Sequence, residues 1–386
     1  MTRRIGPGAA AFALAAALAF ALGPAPVAAQ TVGVGVDYVG YDFEDGLNAE
    51  SARLFMIPVA VRVPVGQSLR FDLYSAWADG RVSQAGTTYQ LTGPVDTNIK
   101  GSWQALPGVL VSLGANLPTG NSTHDDEEAL VASVLSTDLL GFRESTWGTG
   151  FALTSSVAVA RTVGTFGLGI AAAYAARNGF EPSEGAQLTY QPGNEIRVRA
   201  GFDKNFGNST LTFGATFINY AEDKVSDDLG DDRNLFQAGN RIRFDATYAF
   251  RAGAGVWTVY AADLMRANGD LRIAVVDDAG TLVGEDMLVT AKQNLLLGGL
   301  MGTVGLGSGF VFRPHVEFRS QSREEADGND AGSGWILSGG GDIPLRIFGS
   351  EFFPKARVHY GSIKDATGEG VGLLALEFQG TLRFTF

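Results

Sequence analysis

Cationic side chains recur at every second position in several segments of the chain, where they alternate with apolar residues. In residues 240–250, for example, Arg241 and Arg243 alternate with Ile242 and Phe244. A guanidinium stays charged and presents its N–H donors in a planar fork, so arginines repeated along one side of a segment attract carboxylates and phosphates. The predicted chemistry is therefore the attraction of anionic solutes. The residues that share this pattern are Arg197, Arg199, Arg241, Arg243, Arg313, Arg319, Arg346, Lys355, Arg357 and Arg383.

The sequence contains no cysteine and only three histidines, which argues against a catalytic or metal centre. Without cysteine there is no thiol catalysis and no thiolate metal site. His315 has a serine nearby, Ser320, but nothing in the sequence orients the two as a base and its nucleophile. We therefore expect no enzyme activity, no cofactor and no metal site.

Alternation of this kind is typical of β-strands, in which successive side chains point to opposite faces. In a membrane-spanning strand one face meets lipid, where an arginine costs about 2–4 kcal/mol at the bilayer midplane. Two arginines on the lipid face of one strand would cost about twice that, a large part of a typical folding free energy. The face that carries Arg241 and Arg243 is therefore expected to point into an aqueous interior.

Alternating segments of about ten to thirteen residues recur along the chain. They are joined alternately by short connections with Gly, Pro or Asn and by long loops. This pattern predicts an all-β fold, a transmembrane antiparallel up-and-down β-barrel with short periplasmic turns and long extracellular loops. We expect sixteen strands, with fourteen as the alternative because strand boundaries are uncertain by a few residues. The segments begin near Thr31, Ala52, Leu69, Val95, Gly108, Trp147, Val163, Gly193, Ser209, Ala238, Gly255, Ala291, Gly309, Gly334, Glu351 and Val371.

Both ends of the sequence favour export to the bacterial outer membrane. Residues 1–29 are typical of a cleaved secretory signal peptide, because Arg3 and Arg4 precede an apolar run and small residues precede Gln30. Residues 30–386 are then expected to form a single barrel domain. The last strand ends in an aromatic residue, which resembles the signal that the barrel-insertion machinery reads in outer-membrane barrels. The apolar residues of this strand are Phe378, Leu382, Phe384 and Phe386.

The longest predicted loop, 118–146, contains a segment with helical periodicity near 125–140. Asp125 can cap the helix, and Glu128 sits three residues later, as in a capping box. We expect the loop to fold into the barrel mouth as a constriction, with its apolar face against small inward residues such as Ala158 and Ala171. The alternative is a helix that lies across the lip or contacts a neighbouring subunit. The apolar face consists of Leu130, Val131, Val134, Leu135 and Leu139.

Charges of opposite sign are sorted between the loops and the strands. The formal net charge of −12 at pH 7 argues against binding to nucleic acid, which needs basic patches. Acidic residues concentrate in the predicted long loops, as in Asp125–Glu128, and the strands keep a basic surplus. A positive lumen predicts a modest preference for anions or carboxylate-bearing solutes, strongest at low ionic strength.

Two short motifs carry a resemblance to a known family. Leu113–Gly120, with the sequence LGANLPTG, followed by Trp147–Gly150 resembles strand-top motifs of outer-membrane transporters linked to aromatic-compound degradation. These transporters are distant relatives of the long-chain fatty-acid transporters, so the resemblance implies a hydrophobic substrate. The strand count and a helix in the third long loop are instead more similar to general porins.

The sequence therefore predicts an outer-membrane channel for passive diffusion of small solutes. The first alternative is a transporter of hydrophobic compounds, such as aromatics or fatty acids, through a lateral or plugged route. The second is a structural or adhesive barrel. The expected partners are outer-membrane lipid and lipopolysaccharide, the insertion machinery and a small-molecule solute, and the oligomeric state is either monomer or trimer.

Overall fold

The computed structural model describes residues 30–386 except 48, 145–146, 184–187, 228–231, 277–281, 308, 326–328 and 348. The predicted signal peptide, 1–29, lies outside the described residues. The one helix in these ranges is α1, Asp126–Leu135. The strands are β1 (Thr31–Phe43), β2 (Ser51–Val65), β3 (Leu69–Gln84), β4 (Thr87–Pro94), β5 (Thr97–Leu106), β6 (Val109–Leu117), β7 (Ala152–Val163), β8 (Phe166–Arg177), β9 (Leu188–Gln191), β10 (Glu195–Asn205), β11 (Ser209–Tyr220), β12 (Asp223–Asp227), β13 (Asp232–Gln237), β14 (Arg241–Ala252), β15 (Gly255–Arg266), β16 (Asp270–Val276), β17 (Leu282–Val289), β18 (Lys292–Gly305), β19 (Val311–Glu324), β20 (Gly334–Asp342), β21 (Leu345–Ile347), β22 (Ser350–Lys364) and β23 (Gly370–Thr385).

Eighteen of these strands form one closed antiparallel sheet. Strand β1 pairs with β2 on one side and with β23 on the other, so the sheet has no free edge. Strands β4 and β5 follow each other along one edge of β3, and β20 and β21 do the same along β22. The eighteen strands therefore act as sixteen barrel strands. This confirms the predicted sixteen-strand antiparallel barrel, and fifteen of the sixteen predicted starts lie within three residues of an observed one.

The outer face of the barrel is apolar on every barrel strand. A band of this extent would be unfavourable in water, because soluble monomers rarely expose large contiguous apolar patches. It matches the lipid-facing band of a membrane-spanning barrel. One exposed apolar residue from each barrel strand illustrates the band: Val36, Ile57, Phe71, Ile99, Leu113, Val157, Ile170, Val198, Phe217, Phe244, Val259, Leu300, Val316, Leu337, Val358 and Leu376.

Short turns join the strands at one end of the barrel and long loops at the other. Residues 66–68, 107–108, 164–165 and 253–254 make turns of two or three residues. At the other end, the connection from β6 to β7 is the longest and carries α1; we call residues 118–151 the inner loop. In the described part of the chain, no helix has the length and hydropathy needed to cross a bilayer.

A second, smaller sheet stands at the long-loop end and was not predicted. Its order is β17-β16-β13-β12-β9, and all of its described pairs are antiparallel. The strands belong to the connections β8–β10, β11–β14 and β15–β18, which we interpreted from the sequence as plain loops. Three long connections therefore share one structure above the barrel.

The helix of the inner loop begins where its sequence predicts and ends earlier. The Asp125 carboxylate accepts a hydrogen bond of 2.8 Å from the Glu128 backbone N–H, as expected for an N-cap. The helix stops at Leu135 rather than near 140. The carbonyl of Leu140 instead accepts hydrogen bonds from Tyr41 Oη (2.7 Å) and Arg319 Nη1 (3.0 Å), so the barrel wall replaces further helical bonds.

Candidate functional site: the barrel lumen and its inner loop

The inner face of the barrel carries the basic residues that the alternation singled out. Directly opposed residues of antiparallel strands share a face, so the register can be followed around the barrel from Tyr41, which contacts the inner loop. It places all ten predicted residues on the lumenal side. Their effect on selectivity remains a prediction.

Acidic neighbours on the inner face compensate part of this positive charge. Arg199 makes a bidentate pair with Asp245, with distances of 2.7 and 2.8 Å. Arg197 lies 2.5 Å from Glu195, an acid that also faces the lumen. Glu351, 3.4 Å from an Arg383 nitrogen, is a second such acid. On these strands the excess of basic over acidic side chains on the inner face is therefore smaller than the sequence suggested.

The inner loop lies inside the barrel, as predicted, but packs against a different wall. Val131 and Leu135 are buried in a cluster with Leu54 and Met56 of β2 and with Trp147 of the loop itself. The expected wall was the small-residue face of β7 and β8. Larger apolar side chains on β2–β4 bury more apolar area against a helix than alanines and glycines do. This explains why the helix packs on β2–β4 rather than on β7 and β8.

Close approach of the helix to β3 depends on Gly80. A Cβ atom at this position would lie 2.7 Å from Leu135 Cδ1 and 2.9 Å from Trp147 Cη2, closer than real Cβ contacts. The indole N–H of Trp147 also donates to the carbonyl of Ala78 at 3.2 Å. Strand β3 therefore receives both the helix and the returning end of the loop.

The five residues assigned to the constriction separate into two sets. Val131, Leu135 and Leu139 are buried, the last in a second cluster with Tyr41 and Ile336 on the opposite side of β1. Leu130 and Val134 are half-buried and line a cavity of about 460 Å³ at the long-loop end. The inner loop thus follows the half of the wall around β1, from β4 back to β18.

Both ends of the inner loop are fastened by Asp96, which sequence reasoning missed. The Asp96 carboxylate accepts hydrogen bonds from the backbone N–H of Gly120 (3.0 Å) and Thr149 (2.8 Å) and from Asn116 Nδ2 (2.7 Å). Asp96 is only 5% exposed. A Cβ at Gly120 would lie 1.9 Å from the carbonyl oxygen of Trp147. The motifs that carry the family resemblance therefore form a clamp between the two ends of the loop.

The other half of the wall stays clear of the inner loop. A cavity of about 720 Å³ lies between the loop residues His124, Glu144 and Thr149 and the inner faces of β5–β10. The inward residues here include Ala152, Thr154, Ala173 and Ala175, whose small side chains leave this space open. Arg177 and Arg197 line the same cavity.

Glu144 brings a carboxylate to the loop side of this cavity. Tyr74 Oη donates to Glu144 Oε1 at 3.0 Å, and the adjacent Arg143 lies 2.6 Å from Asp37. Burial raises the pKa of the Glu144 carboxyl above its ordinary value, against the opposing effects of the Tyr74 hydrogen bond and the Arg143 charge. On the wall side Glu195 pairs with both Arg177 (2.9 Å) and Arg197 (2.5 Å), and the loop side carries the titratable Glu144.

The structure does not bring together the residues considered for catalysis. Ser320 is on the outer face and His315 on the inner face of β19, so they cannot pair. A different serine, Ser338, lies 2.7 Å from His359 Nδ1, and His359 Nε2 lies 3.2 Å from Glu377. Both Ser338 and His359 are 1% exposed, so no substrate reaches them in this conformation. Among the described residues no cluster of three or more His, Asp or Glu could hold a metal ion.

No family model matches the sequence, and no curated protein matches it. Similar solved structures include a loop-deletion mutant of OmpT, an outer membrane protein of Vibrio cholerae. It shows 13% identity and a TM-score of 0.41, over 93% of this chain and 100% of that chain. OccK5 (OpdH) of Pseudomonas aeruginosa shows 10% identity and a TM-score of 0.43, with 92% and 98% coverage. A bacterial polysaccharide outer membrane secretin shows 10% identity and a TM-score of 0.47, with 91% and 98% coverage. At these values no functional argument rests on the likeness, and the narrower resemblance to aromatic-compound transporters finds no match.

Proposed function

We propose that this protein is an outer-membrane channel that passes small solutes by diffusion, with a modest preference for anions or carboxylate-bearing solutes. The observation that carries the proposal is the division of the lumen. The helix of the inner loop covers the apolar inner face of β2–β4, and the part of the wall that the loop leaves open carries Arg197, Arg199, Arg241 and Arg243. A solute in the open half therefore passes beside a basic surface.

Location in the outer membrane follows from the same proposal. The apolar outer band supports a bilayer environment, and in outer-membrane barrels the long loops are extracellular and the short turns periplasmic. The outer band would then contact lipid and lipopolysaccharide. The proposal also includes the cleavage of residues 1–29. It includes recognition by the insertion machinery of Phe378, Leu382, Phe384 and Phe386.

The magnitude of the selectivity is expected to be small. Several lumenal arginines are paired with carboxylates, and the Debye length at 0.1 M salt is about 10 Å, so mobile ions screen what remains. The preference should therefore be clearest well below 0.1 M salt. The acidic loops oppose it at the mouth, but exposed charges are screened more strongly than lumenal ones.

Reversal potentials of the refolded protein in a planar bilayer test the proposal. We expect the wild type to be anion-selective in a gradient of dilute KCl, and Arg241→Glu with Arg243→Glu to shift the reversal potential toward cations. Arg53→Glu with Arg81→Glu is a matched control, because these arginines carry the same charge on the outer face. A wild type that is cation-selective at low salt, or a control that shifts equally, would contradict the proposal.

A transporter of hydrophobic compounds is the second candidate, and one observation favours it. The cavity of about 460 Å³ at the long-loop end is lined by Phe43, Leu130, Val134 and Ile363, and small-molecule pockets of this size and polarity are common. A protein that gives no ion conductance but retains a bound fatty acid or aromatic molecule would support this candidate against the channel.

A further inference from the structure

A second basic region lies at the short-turn end of the lumen, away from the inner loop. A cavity of about 860 Å³ there is lined by Arg313, Arg346, Lys355 and Arg383. These side chains come from four different strands, β19, β21, β22 and β23, and the register directs all of them inward. We call this cavity the basic vestibule.

An aromatic ring holds two of the guanidinium groups in place. Phe353 of β22 points into the lumen, where a large apolar side chain has no lipid or core to contact. The guanidinium carbon of Arg383 lies 5.0 Å from its ring centroid, and that of Arg313 lies 5.6 Å away. Both distances fall within the range of cation–π attraction. Phe353 therefore restricts the side-chain motion of the two arginines. They lose less conformational entropy when a ligand binds.

The acids of the vestibule leave part of its positive charge uncompensated. Asp342 lies 3.5 Å from Arg313, and Glu351 lies 3.4 Å from Arg383. Both distances exceed the 2.7–2.9 Å that is typical of strong charge-assisted bonds. Arg346 has no ion pair within the part of the chain that the structure describes. The guanidinium groups of Arg313, Arg383 and Arg346 can thus donate further hydrogen bonds.

The charge balance selects the kind of ligand. Four cationic side chains line the vestibule against two carboxylates. Lys355 is compensated by Glu377, which lies 2.6 Å away, so the guanidinium groups of Arg313, Arg346 and Arg383 are the ones available to a ligand. Three guanidinium groups from separate strands can engage a solute that carries more than one anionic group, because guanidiniums bind carboxylate and phosphate oxygens in bidentate geometry.

We propose that the basic vestibule is a binding site for a compact solute with two or more negative charges, a polycarboxylate or a phosphate compound. The inference deepens the proposed function, because it names a solute class that the lumen would hold on its way through the barrel. Arg313, Arg346 and Arg383 contact the anionic groups, and Phe353 is a positioning residue.

Titration calorimetry of the folded protein in nanodiscs at 50 mM KCl tests the site without any need for conduction. Succinate and pyrophosphate are the dianionic or higher-charged probes, and acetate is the monoanion. We expect both multivalent probes to bind at least tenfold more tightly than acetate. The probe that binds more tightly assigns the site to carboxylates or to phosphates.

Variants localise the binding. Arg346→Gln should weaken pyrophosphate binding at least tenfold without disturbing the fold, because it breaks no ion pair. Phe353→Leu should weaken it about threefold while the charge is unchanged. Arg70→Gln is the control, since Arg70 lines a neighbouring lumenal cavity that meets the vestibule at Arg383, and is itself held 2.8 Å from Asp72. It should leave the affinity within twofold.

The outcomes separate this site from the channel. Absence of binding, equal binding of acetate and pyrophosphate, or an Arg70→Gln effect as large as that of Arg346→Gln would each overturn the binding site. A protein that conducts with anion preference but shows any of these results remains a channel. If the protein binds pyrophosphate through Arg346 but conducts no ions, the binding site is supported and the channel function is rejected.

Discussion

Replacement of Asp96 by alanine should release the inner loop from the barrel. Three hydrogen bonds from Gly120, Thr149 and Asn116 converge on this one carboxylate, and the first two donors are at opposite ends of the loop. Asn116 belongs to β6, so only the bonds from Gly120 and Thr149 hold the loop. Hydrogen bonds to charged groups contribute about 1.5–3 kcal/mol each, so these two amount to about 3 kcal/mol at the low end. Each 1.4 kcal/mol is a factor of ten in an equilibrium constant, so the open population should rise roughly a hundredfold.

Amide hydrogen exchange measures this population directly. In Asp96→Ala, the N–H groups of Gly120 and Thr149 should exchange roughly a hundred times faster than in the wild type, if exchange reports the opening equilibrium. Asp96→Asn keeps one acceptor oxygen, so its exchange rates should lie between those of the wild type and of Asp96→Ala. Asp79→Ala is the control, because Asp79 accepts hydrogen bonds from Arg81 and Gln90 on the outer face and touches no part of the loop. Protection at Gly120 and Thr149 that changes less than about threefold would refute the clamp.

Two further predictions concern the docking of the inner loop. Gly80→Val places side-chain atoms where Leu135 and Trp147 now lie, so it should displace the helix and raise single-channel conductance, whereas Gly339→Val, at an outer position with nothing within 4 Å, should not. Glu144 has a raised pKa in the docked loop, so docking is favoured below the ordinary carboxyl pKa and weakened as pH rises through the raised value. The protection of the loop amides against hydrogen exchange, corrected for intrinsic exchange, should therefore fall between pH 4 and 7.5 in the wild type. It should stay constant in Glu144→Gln. Protection that increases with pH in the wild type would contradict the prediction.

The strands could be predicted from sequence because each one carries its own evidence. Alternation assigns the two faces, and the cost of an arginine in lipid decides which face is inside. Trp147 shows the limit of this reasoning, since the predicted strand begins there and β7 begins at Ala152. In residues 147–151 glycine alternates with larger residues, which suggested a strand with one small-residue face, but Trp147 is completely buried against β3 and the loop.

Partners that are distant in sequence could not be predicted in the same way. The helix periodicity identified an apolar face but gave no information on which wall receives it. One signal was available: β2 is apolar on both faces, with Leu54 and Met56 inside and Val59 and Val61 outside, as expected for a strand that is covered on its inner side. Asp96 gave no signal, because its loop partners lie 24 and 53 residues away. The five-stranded outer sheet joins three separate connections, and β9 is only four residues long.

The placement of the inner loop explains why the wall, rather than the loop, should control selectivity. If the helix had packed against Ala158 and Ala171, as the sequence suggested, solutes would pass beside β2–β4, whose inner face is apolar at that level. Because the larger apolar side chains of β2–β4 hold the helix instead, solutes are left with the half of the lumen where Arg197, Arg199 and their neighbours lie. The hydrophobic contacts of one half therefore determine the charge that solutes meet in the other.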